Sequence, residues 1–440
     1  MVNMRHAKRL GWLAAIAACF PSPVAAQTYI KAGLFFDGRA APRRDVLITV
    51  RDGRIASIGP AANTPANAQI IDLSDKTVLP GLIDAHTHIT LHAGDYDGQM
   101  LRETPEFRSI WATVSARKTL DAGVTTIRDL GNEGAGFADV ALRDATAKGL
   151  IAGPRVIAAI RPVTSTGAYG LTGYSPYLTL PPLSSSADGV GEVRKEVRRL
   201  LAAGADVIKI YMESFEKREV RKDRLSGAMN YSREELEALV DEAHRARVRV
   251  AAHTYSDEAA RLAIAVGADS IEHGLYLDEA TFRLMAERGI YYVPTLLVYE
   301  LWRDGLVLAP VSADRRQQLA KTVEEHVLSF QRALRTPVKI AFGSDTFELP
   351  GTNARELELM VHYGMSPLQA LRAATTVSAA LLQVDDETGS LEPGKAADII
   401  AVDGNPFDDM QVLRRVAFVM KDGKVHLDRR ATAAAGKPTH

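Results

Sequence analysis

The chain has 440 residues, 46% of them hydrophobic and 24% charged, with 33 glycines and 20 prolines. These proportions exclude a collagen-like, a disordered or a polytopic membrane chain, and the length allows a large core. Lys+Arg (53) nearly balances Asp+Glu (54), for a net charge of -1, so no global basic field attracts nucleic acid or an anionic membrane surface.

In chain order, Arg5, Lys8 and Arg9 precede an apolar stretch at 11–20 that is too short to span a bilayer. Pro21 and Pro23 break it, and Val24-Ala25-Ala26 puts small residues before Gln27. This pattern predicts a secretory signal over 1–26, cut near Ala26, and a secreted or periplasmic mature chain. The alternative is a lipoprotein box, Ile16-Ala17-Ala18-Cys19, with Cys19 lipidated. Cleavage near Ala26 removes Cys19, the sole cysteine, and with it any disulfide or thiol chemistry. No later run approaches the length of a membrane helix.

The next stretch is short and β-like. Val46-Leu47-Ile48-Thr49-Val50 reads as a strand, and Asp52-Gly53 as a hairpin turn into Ile55-Ala56-Ser57-Ile58-Gly59. Ala397-Asp398-Ile399-Ile400-Ala401-Val402 and Val416-Ala417-Phe418-Val419-Met420 share that texture, with a second turn at Asp422-Gly423. One small β domain, a β-sandwich built from 27–80 plus 388–430, is therefore expected to flank a central domain at 81–387, with a frayed tail at 431–440.

The centre alternates strands and helices. Candidate strands cover 82–86, 124–129, 155–159, 207–211, 248–253, 270–273, 292–296 and 339–345. Helical patterns at 233–246, 257–266 and 278–288 separate some of them. Eight such units over roughly 300 residues predict an α/β fold, a (β/α)8 TIM barrel. A doubly wound sheet is the competing architecture, but no glycine fingerprint follows the first strand. Gly167, Gly170 and Gly173 fall in a long loop and lack the strand–turn–helix setting of a phosphate site. Arg194, Lys195, Arg198 and Arg199 fit helical spacing and read as a solvated face.

The informative feature is where ionisable residues fall. His86 and His88 are two apart at the end of the first strand, so extended backbone points both the same way. Lys209 lies inside the fourth strand, His253 ends the fifth, His273 the sixth and Asp345 the eighth. Each alone has a plain reading: a surface pair, a snorkelling lysine, a rim histidine, a helix cap. Together they put four imidazoles, one amine and one carboxylate at the barrel mouth where active sites form. Imidazole and carboxylate suit Zn²⁺, Mn²⁺ or Fe²⁺, and five such ligands exceed the three that one catalytic zinc needs. Two divalent ions about 3.5–4 Å apart are expected. An ammonium at Lys209 would be repelled by them, and its carboxylation by CO₂ to an anionic carbamate resolves the conflict.

Leu79-Pro80-Gly81-Leu82-Ile83-Asp84-Ala85-His86-Thr87-His88 resembles the opening motif of the amidohydrolase superfamily. Gly267-Ala268-Asp269-Ser270-Ile271-Glu272-His273-Gly274, Gly343-Ser344-Asp345-Thr346 and Gly389-Ser390-Leu391-Glu392-Pro393-Gly394 are similar to its imidazolonepropionase-like and prolidase-like branch. The resemblance implies a binuclear, usually zinc, centre. His86, His88 and Asp345 would hold the more buried ion, His253 and His273 the other, with carboxylated Lys209 bridging. It also implies a bridging hydroxide as nucleophile, with Asp345 passing its proton to the leaving amine. Tyr231 matches a tyrosine that serves the carbonyl oxygen in dipeptidase-like relatives; its other reading is a helix-start residue beside Ser232. Where relatives of this branch carry Gly-Gly-His-Gly, this chain has Thr166-Gly167-Ala168-Tyr169-Gly170: either the histidine that serves the substrate carbonyl has no counterpart, or Tyr169 replaces it as a substrate contact.

The resemblance therefore implies an exported hydrolase of amide bonds in small molecules. Dipeptides, N-acyl amino acids and amino-acid aryl amides, including toxins of the ochratoxin type, are the expected substrates, and a homo-oligomer the expected assembly. A cyclic-amide hydrolase, a lactonase or a phosphotriester hydrolase would use the same ligands. A deaminase usually lacks the bridging lysine, and a non-catalytic scaffold would have lost ligands. No Gly-x-Ser-x-Gly elbow and no His-Glu-x-x-His occurs, which disfavours a serine hydrolase and a thermolysin-like protease.

Overall fold

The computed structural model describes residues 27–214, 225, 227–306, 313–346 and 349–430. The expected signal at 1–26, including Cys19, and the tail at 431–440 lie outside them. Among the described residues, no helix is long and apolar enough to cross a membrane.

Both ends of the described residues enter one seven-stranded sheet. Its order is Lys424–Asp428, Val416–Lys421, Ile399–Val402, Ile70–Pro80, Thr28–Phe35, Arg43–Arg51, Arg54–Pro60. The sheet curls: Arg54, at one side, bridges back to Ala396, and Ala397 N–H donates to Gly53 O at 2.8 Å. Alternate residues such as Ile30, Ile48, Leu73, Val78, Ile399 and Phe418 fill the space it encloses, giving a sandwich-like unit with its own core. Leu79 and Leu82, on either side of the passage into the central domain, already belong to the barrel's core.

The central domain is an α/β barrel of eight parallel strands: Leu82–Thr87, Val124–Asp129, Arg155–Ala158, Ile208–Tyr211, Val250–Thr254, Ser270–His273, Tyr291–Val293 and Lys339–Ile340. Most are buried on both faces, as their near-continuous apolar runs require. Ala85 N–H donates to Phe342 O at 2.8 Å, which joins the eighth position to the first. Between third and fourth, Asp206 N–H reaches Ala158 O at 2.8 Å.

The strands depart from the sequence expectation most clearly in three places. The seventh stops at Val293, because Thr295 turns left-handed (φ 51°). The eighth is regular only over Lys339–Ile340, and 341–345 continue toward the mouth on single hydrogen bonds. The short strands Val163–Thr164 and Ser185–Ser186, with no distinct pattern in the sequence, extend the sheet beside Ile208–Tyr211.

Caps set the helices. Ser232 and Glu235 form a reciprocal capping box before Arg233–Arg245, Asp278 caps Glu279–Arg288, and Gly267 closes Asp257–Val266 in the left-handed region. Arg194 and Arg198 do not simply face water: both reach Glu242 on the next helix, at 3.1 and 2.7 Å. A π-helical stretch, Ala373–Val377, presents Ala373 O to Phe342 N–H, steadying the last strand just before the mouth.

Candidate metal centre

The strands bring the expected ligands to one place. Extended backbone turns His86 and His88 the same way, with ring centroids 5.5 Å apart. Tyr211 registers with His253, and Thr254 with His273, so the fourth, fifth and sixth ends lie side by side. Asp345 is held against the first strand by its N–H to His86 O at 2.9 Å. Its Oδ1 is 3.8 Å from His86 Nε2 and 3.4 Å from His88 Nε2, and its Oδ2 is 4.0 Å from His273 Nδ1. The His273 ring is 4.9 Å from that of His86 and 4.6 Å from that of His253. Ligand atoms of His86, His273 and Asp345 lie within 4.8 Å of one another. The four histidines and Asp345 line a cavity of about 170 Å³. Lys209, wholly buried, acts electrostatically on all four imidazoles and on Asp345.

The close approach has local requirements. A Cβ at Gly343 would sit 2.4 Å from Val293 Cγ1 and 2.8 Å from His86 Cβ, so only glycine lets the last strand pass. His273 (φ 70°), Thr295 (φ 51°) and Asp345 (φ 51°) are all left-handed, a conformation costing about 1–3 kcal/mol each in a non-glycine residue. Such strain persists where surrounding contacts over-determine it. Here, His273 O accepts from Tyr292 Oη at 3.0 Å and pairs with His326 Nε2 at 3.1 Å.

A buried layer behind the ligands orients them. His86 Nδ1 meets Glu272 Oε2 at 2.8 Å, and Glu272 in turn receives Arg128 Nη2 at 2.8 Å and Ser270 Oγ. His88 Nδ1 meets Gly131 O at 2.7 Å, and His273 Nδ1 meets Thr295 Oγ1 at 2.7 Å. Asp84 accepts from His86 N, Ser344 N, Ser344 Oγ and Asn353 Nδ2, tying the first strand to the turn that carries Asp345. Such partners fix the tautomer and direction of a ligating imidazole. Sequence reasoning missed Glu272, Arg128 and Asp84; the one available signal was a charged residue inside a strand otherwise built for burial.

The electrostatics suit cations. Burial pushes His88 down to about 4, and His86, His253 and His273 well below the ordinary histidine value, so at neutral pH each ring keeps a lone pair. Burial also lowers the Lys209 ammonium, against the pull of Glu272 and Asp345. It raises the Asp345 carboxyl, against the pull of Lys209. Lys209 Nζ and Asp345 Oδ1 are buried with no hydrogen-bond partner among the described residues. Unpaired charges in such a place are costly. The donor set fits two divalent ions with Lys209 as carbamate, which would satisfy both orphaned atoms at once.

The remaining walls are aromatic. Tyr169 stacks on Tyr211 at 4.7 Å, and Tyr211 on His253 at 4.2 Å. Tyr96 Oη and Tyr169 Oη both donate to Glu133 Oε2, at 2.7 and 2.9 Å, so the buried Glu133 carboxylate joins the cavity as a residue the sequence did not signal. Tyr169 thus sits in the cavity. Tyr231 does not: it is absent from the cavity's lining, and its hydroxyl is buried without a partner. The charges that act on it are Asp188, Glu235 and Glu196, on the surrounding helical layer. It stands just before the capped helix and packs in the barrel core, which agrees with its reading as a helix-start residue.

Comparison with known proteins agrees with this architecture. The profile of the Amidohydrolase family matches residues 77–426. Ochratoxinase from Aspergillus niger is 33% identical over 432 residues, covering 90% of this chain and 86% of that protein. An imidazolonepropionase from Sphingopyxis alaskensis is 27% identical over 419 residues, covering 85% and 90%. The crystal structure of a Xaa-Pro dipeptidase with methionine bound in its active site superposes with a TM-score of 0.83 at 34% identity, covering 91% of this chain and 99% of that one.

Proposed function

Because the chain belongs to the Amidohydrolase family and is a hydrolase acting on amide bonds, we propose that its substrates are dipeptides, N-acyl amino acids or aryl amides of amino acids, cleaved at a two-metal centre. The observation that carries this reading is the buried cage itself: four neutral imidazoles around an orphaned amine and an orphaned carboxylate oxygen. His86, His88 and Asp345 would hold one ion, His253 and His273 the other, with Lys209 shared between them as a carbamate. The carbamate forms when neutral Nζ attacks CO₂, making an N–C bond and releasing one proton. Zn²⁺ is the expected metal, since imidazole and carboxylate suit it. When bound, the ions supply a Lewis acid for the scissile carbonyl and lower the pKa of water.

The chain's own residues do the rest. The Asp345 carboxylate, beside His86 and His88, takes the proton of the attacking water and returns it to the amide nitrogen as the amine leaves. Glu272 and Gly131 O hold the rings of His86 and His88 in one orientation. The stacked rings of Tyr169 and Tyr211, with Tyr255 tilted beside His253, give the cavity an aromatic side that excludes water and receives a flat or apolar substrate group. The names of the relatives support the substrate classes: one acts as an ochratoxinase, another as a Xaa-Pro dipeptidase. The same proposal has the enzyme exported after cleavage near Ala26 and assembled as a homo-oligomer.

The test is a substrate screen. Zinc-loaded protein is assayed against dipeptides, N-acyl amino acids and amino-acid anilides, with a lactone and a phosphotriester alongside. Turnover of the amides supports the reading. Activity confined to the lactone or the phosphotriester overturns it.

A further inference from the structure

The cavity wall carries a carboxylate that the cleavage chemistry does not use. Glu133 is buried and lines the cavity together with Tyr96 and Tyr169. Both phenol hydroxyls donate to its Oε2, at 2.7 and 2.9 Å, and stand 3.1 Å from each other. These bonds fix the carboxylate without neutralising it. Oε1 lies 3.8 Å from His88 Nδ1, but that nitrogen is engaged with Gly131 O and the ring is neutral. No lysine or arginine among the described residues forms an ion pair with it: the buried Arg108 instead donates to Glu133 O at 2.5 Å and Asn132 O at 3.1 Å. Those two bonds hold the main chain at Glu133 in the left-handed region (φ 49°), a strain that persists where contacts over-determine it. Burial raises the Glu133 carboxyl, while Tyr96, Tyr169 and Arg108 hold it toward the anion. Its place is close to the chemistry. It stands beside His88, and Tyr169 stacks on Tyr211, which stacks on His253, so the carboxylate lies near ligands of both expected ions.

We infer that Glu133, framed by Tyr96 and Tyr169, binds a free ammonium carried on the carbon next to the scissile carbonyl. An ammonium has three donors, and this corner supplies acceptors: the carboxylate, and phenol oxygens that keep lone pairs after giving their protons to Glu133. Charge-assisted hydrogen bonds in a partly dry site are the strong kind, and tyrosine ring faces favour a cation. The carboxylate also offsets the repulsion that a cation would meet beside divalent ions. Closeness to His88 is what assigns the ammonium to the acyl side of the bond, rather than to the far end of a long side chain. Of the substrate classes above, the enzyme then selects those with a free α-amine on the acyl side, dipeptides and aryl amides of amino acids, over N-acyl amino acids. Glu133 touches substrate but exchanges no proton with the reacting atoms, so its effect falls on binding.

This inference rests on the amide-hydrolase reading above, and the experiment separates the two. Wild type, Glu133→Gln and Glu133→Asp are zinc-loaded, checked for melting temperature, and rated per bound ion. Each is assayed at pH 7 on L-alanyl-L-phenylalanine and on N-isobutyryl-L-phenylalanine, following release of phenylalanine. The two substrates differ only in a methyl group that replaces the ammonium, which is mostly charged at that pH because an α-amine titrates at about 7.7–8.0. Wild type is expected to favour the dipeptide in kcat/KM by about 10- to 100-fold, mainly through KM. Glu133→Gln should bring the ratio to within about threefold of unity, and Glu133→Asp, which keeps the charge, should retain part of it. The wild-type ratio tests the inference even where a variant fails to fold. No preference for the dipeptide in wild type, or a preference that survives Glu133→Gln, would overturn the inference while leaving the hydrolase intact. So would a wild type that turns over other amides and releases phenylalanine from neither substrate. No turnover anywhere in the amide screen would sink the underlying reading instead.

Discussion

The floor and the wall of the cavity are built by different means. The floor rests on strand ends: Lys209, His253 and His273 are held in the register of a parallel ladder, and Asp345 hydrogen-bonds directly to the strand carrying His86. The rings of His86, His88 and His273 each have a buried partner behind them. The wall comes from connections and a long helix: Tyr96, Glu133 and Tyr169 follow the first, second and third barrel strands, and Trp302 and Arg315 both follow the seventh. The difference teaches that chemistry and selectivity are carried by separable parts. A rigid ladder fixes what bond is broken, and the longer connections fix whose.

The largest expected effects come from breaking the floor. Asp345→Asn should lower kcat by on the order of 10²–10⁴, since proton transfer by the carboxylate is lost. Steady-state kinetics on the best amide checks this, with metal content measured in parallel. Next, Glu272→Gln removes the carboxylate that fixes His86 Nδ1 and leaves Arg128 without its ion pair. Metal affinity should fall by about 10- to 100-fold, read by competition with a chelator. Gly343→Ala tests the close passage of the last strand: overpacking against Val293 and His86 should cost about 1–3 kcal/mol, seen as a lower denaturation midpoint.

The wall should respond more gently. Tyr169→Phe keeps the ring stacked on Tyr211 and removes one of two hydroxyls that satisfy Glu133. A loss of about 1 kcal/mol in substrate binding, visible in KM, is the expected scale for one such hydrogen bond. Smallest of all, Tyr231→Phe deletes a buried hydroxyl that has no partner among the described residues. Stability should be unchanged or slightly higher. A drop in kcat beyond about tenfold would return Tyr231 to the catalytic role that its sequence context suggested.

The same division governs what was legible in the sequence. The floor could be read because a barrel strand is apolar by necessity, so an ionisable residue at its end stands out: His86, His88, Lys209, His253, His273 and Asp345 all do. The barrel itself and the shared sheet of the two ends were readable for the same reason, from apolar runs and Asp-Gly turns. Glu272 and Arg128 were harder, because a buried ion pair inside the barrel looks in sequence like any charged neighbour of a histidine. Glu133 and Arg315 carried no signal at all: their places depend on how long connections and the helix Ala313–Leu334 fold over the mouth. Tyr231 was ambiguous, because a tyrosine ahead of a serine-capped helix has the same local pattern whether it faces the mouth or the core.

The most direct measurement is the metal stoichiometry of the purified protein beside that of Lys209→Ala, by mass spectrometry of the eluted ions, with amide turnover recorded on the same samples. The account predicts about two divalent ions per chain in the wild type, and loss of at least one together with turnover when the shared amine is removed. An unaltered ion count and rate in a folded Lys209→Ala protein would contradict it.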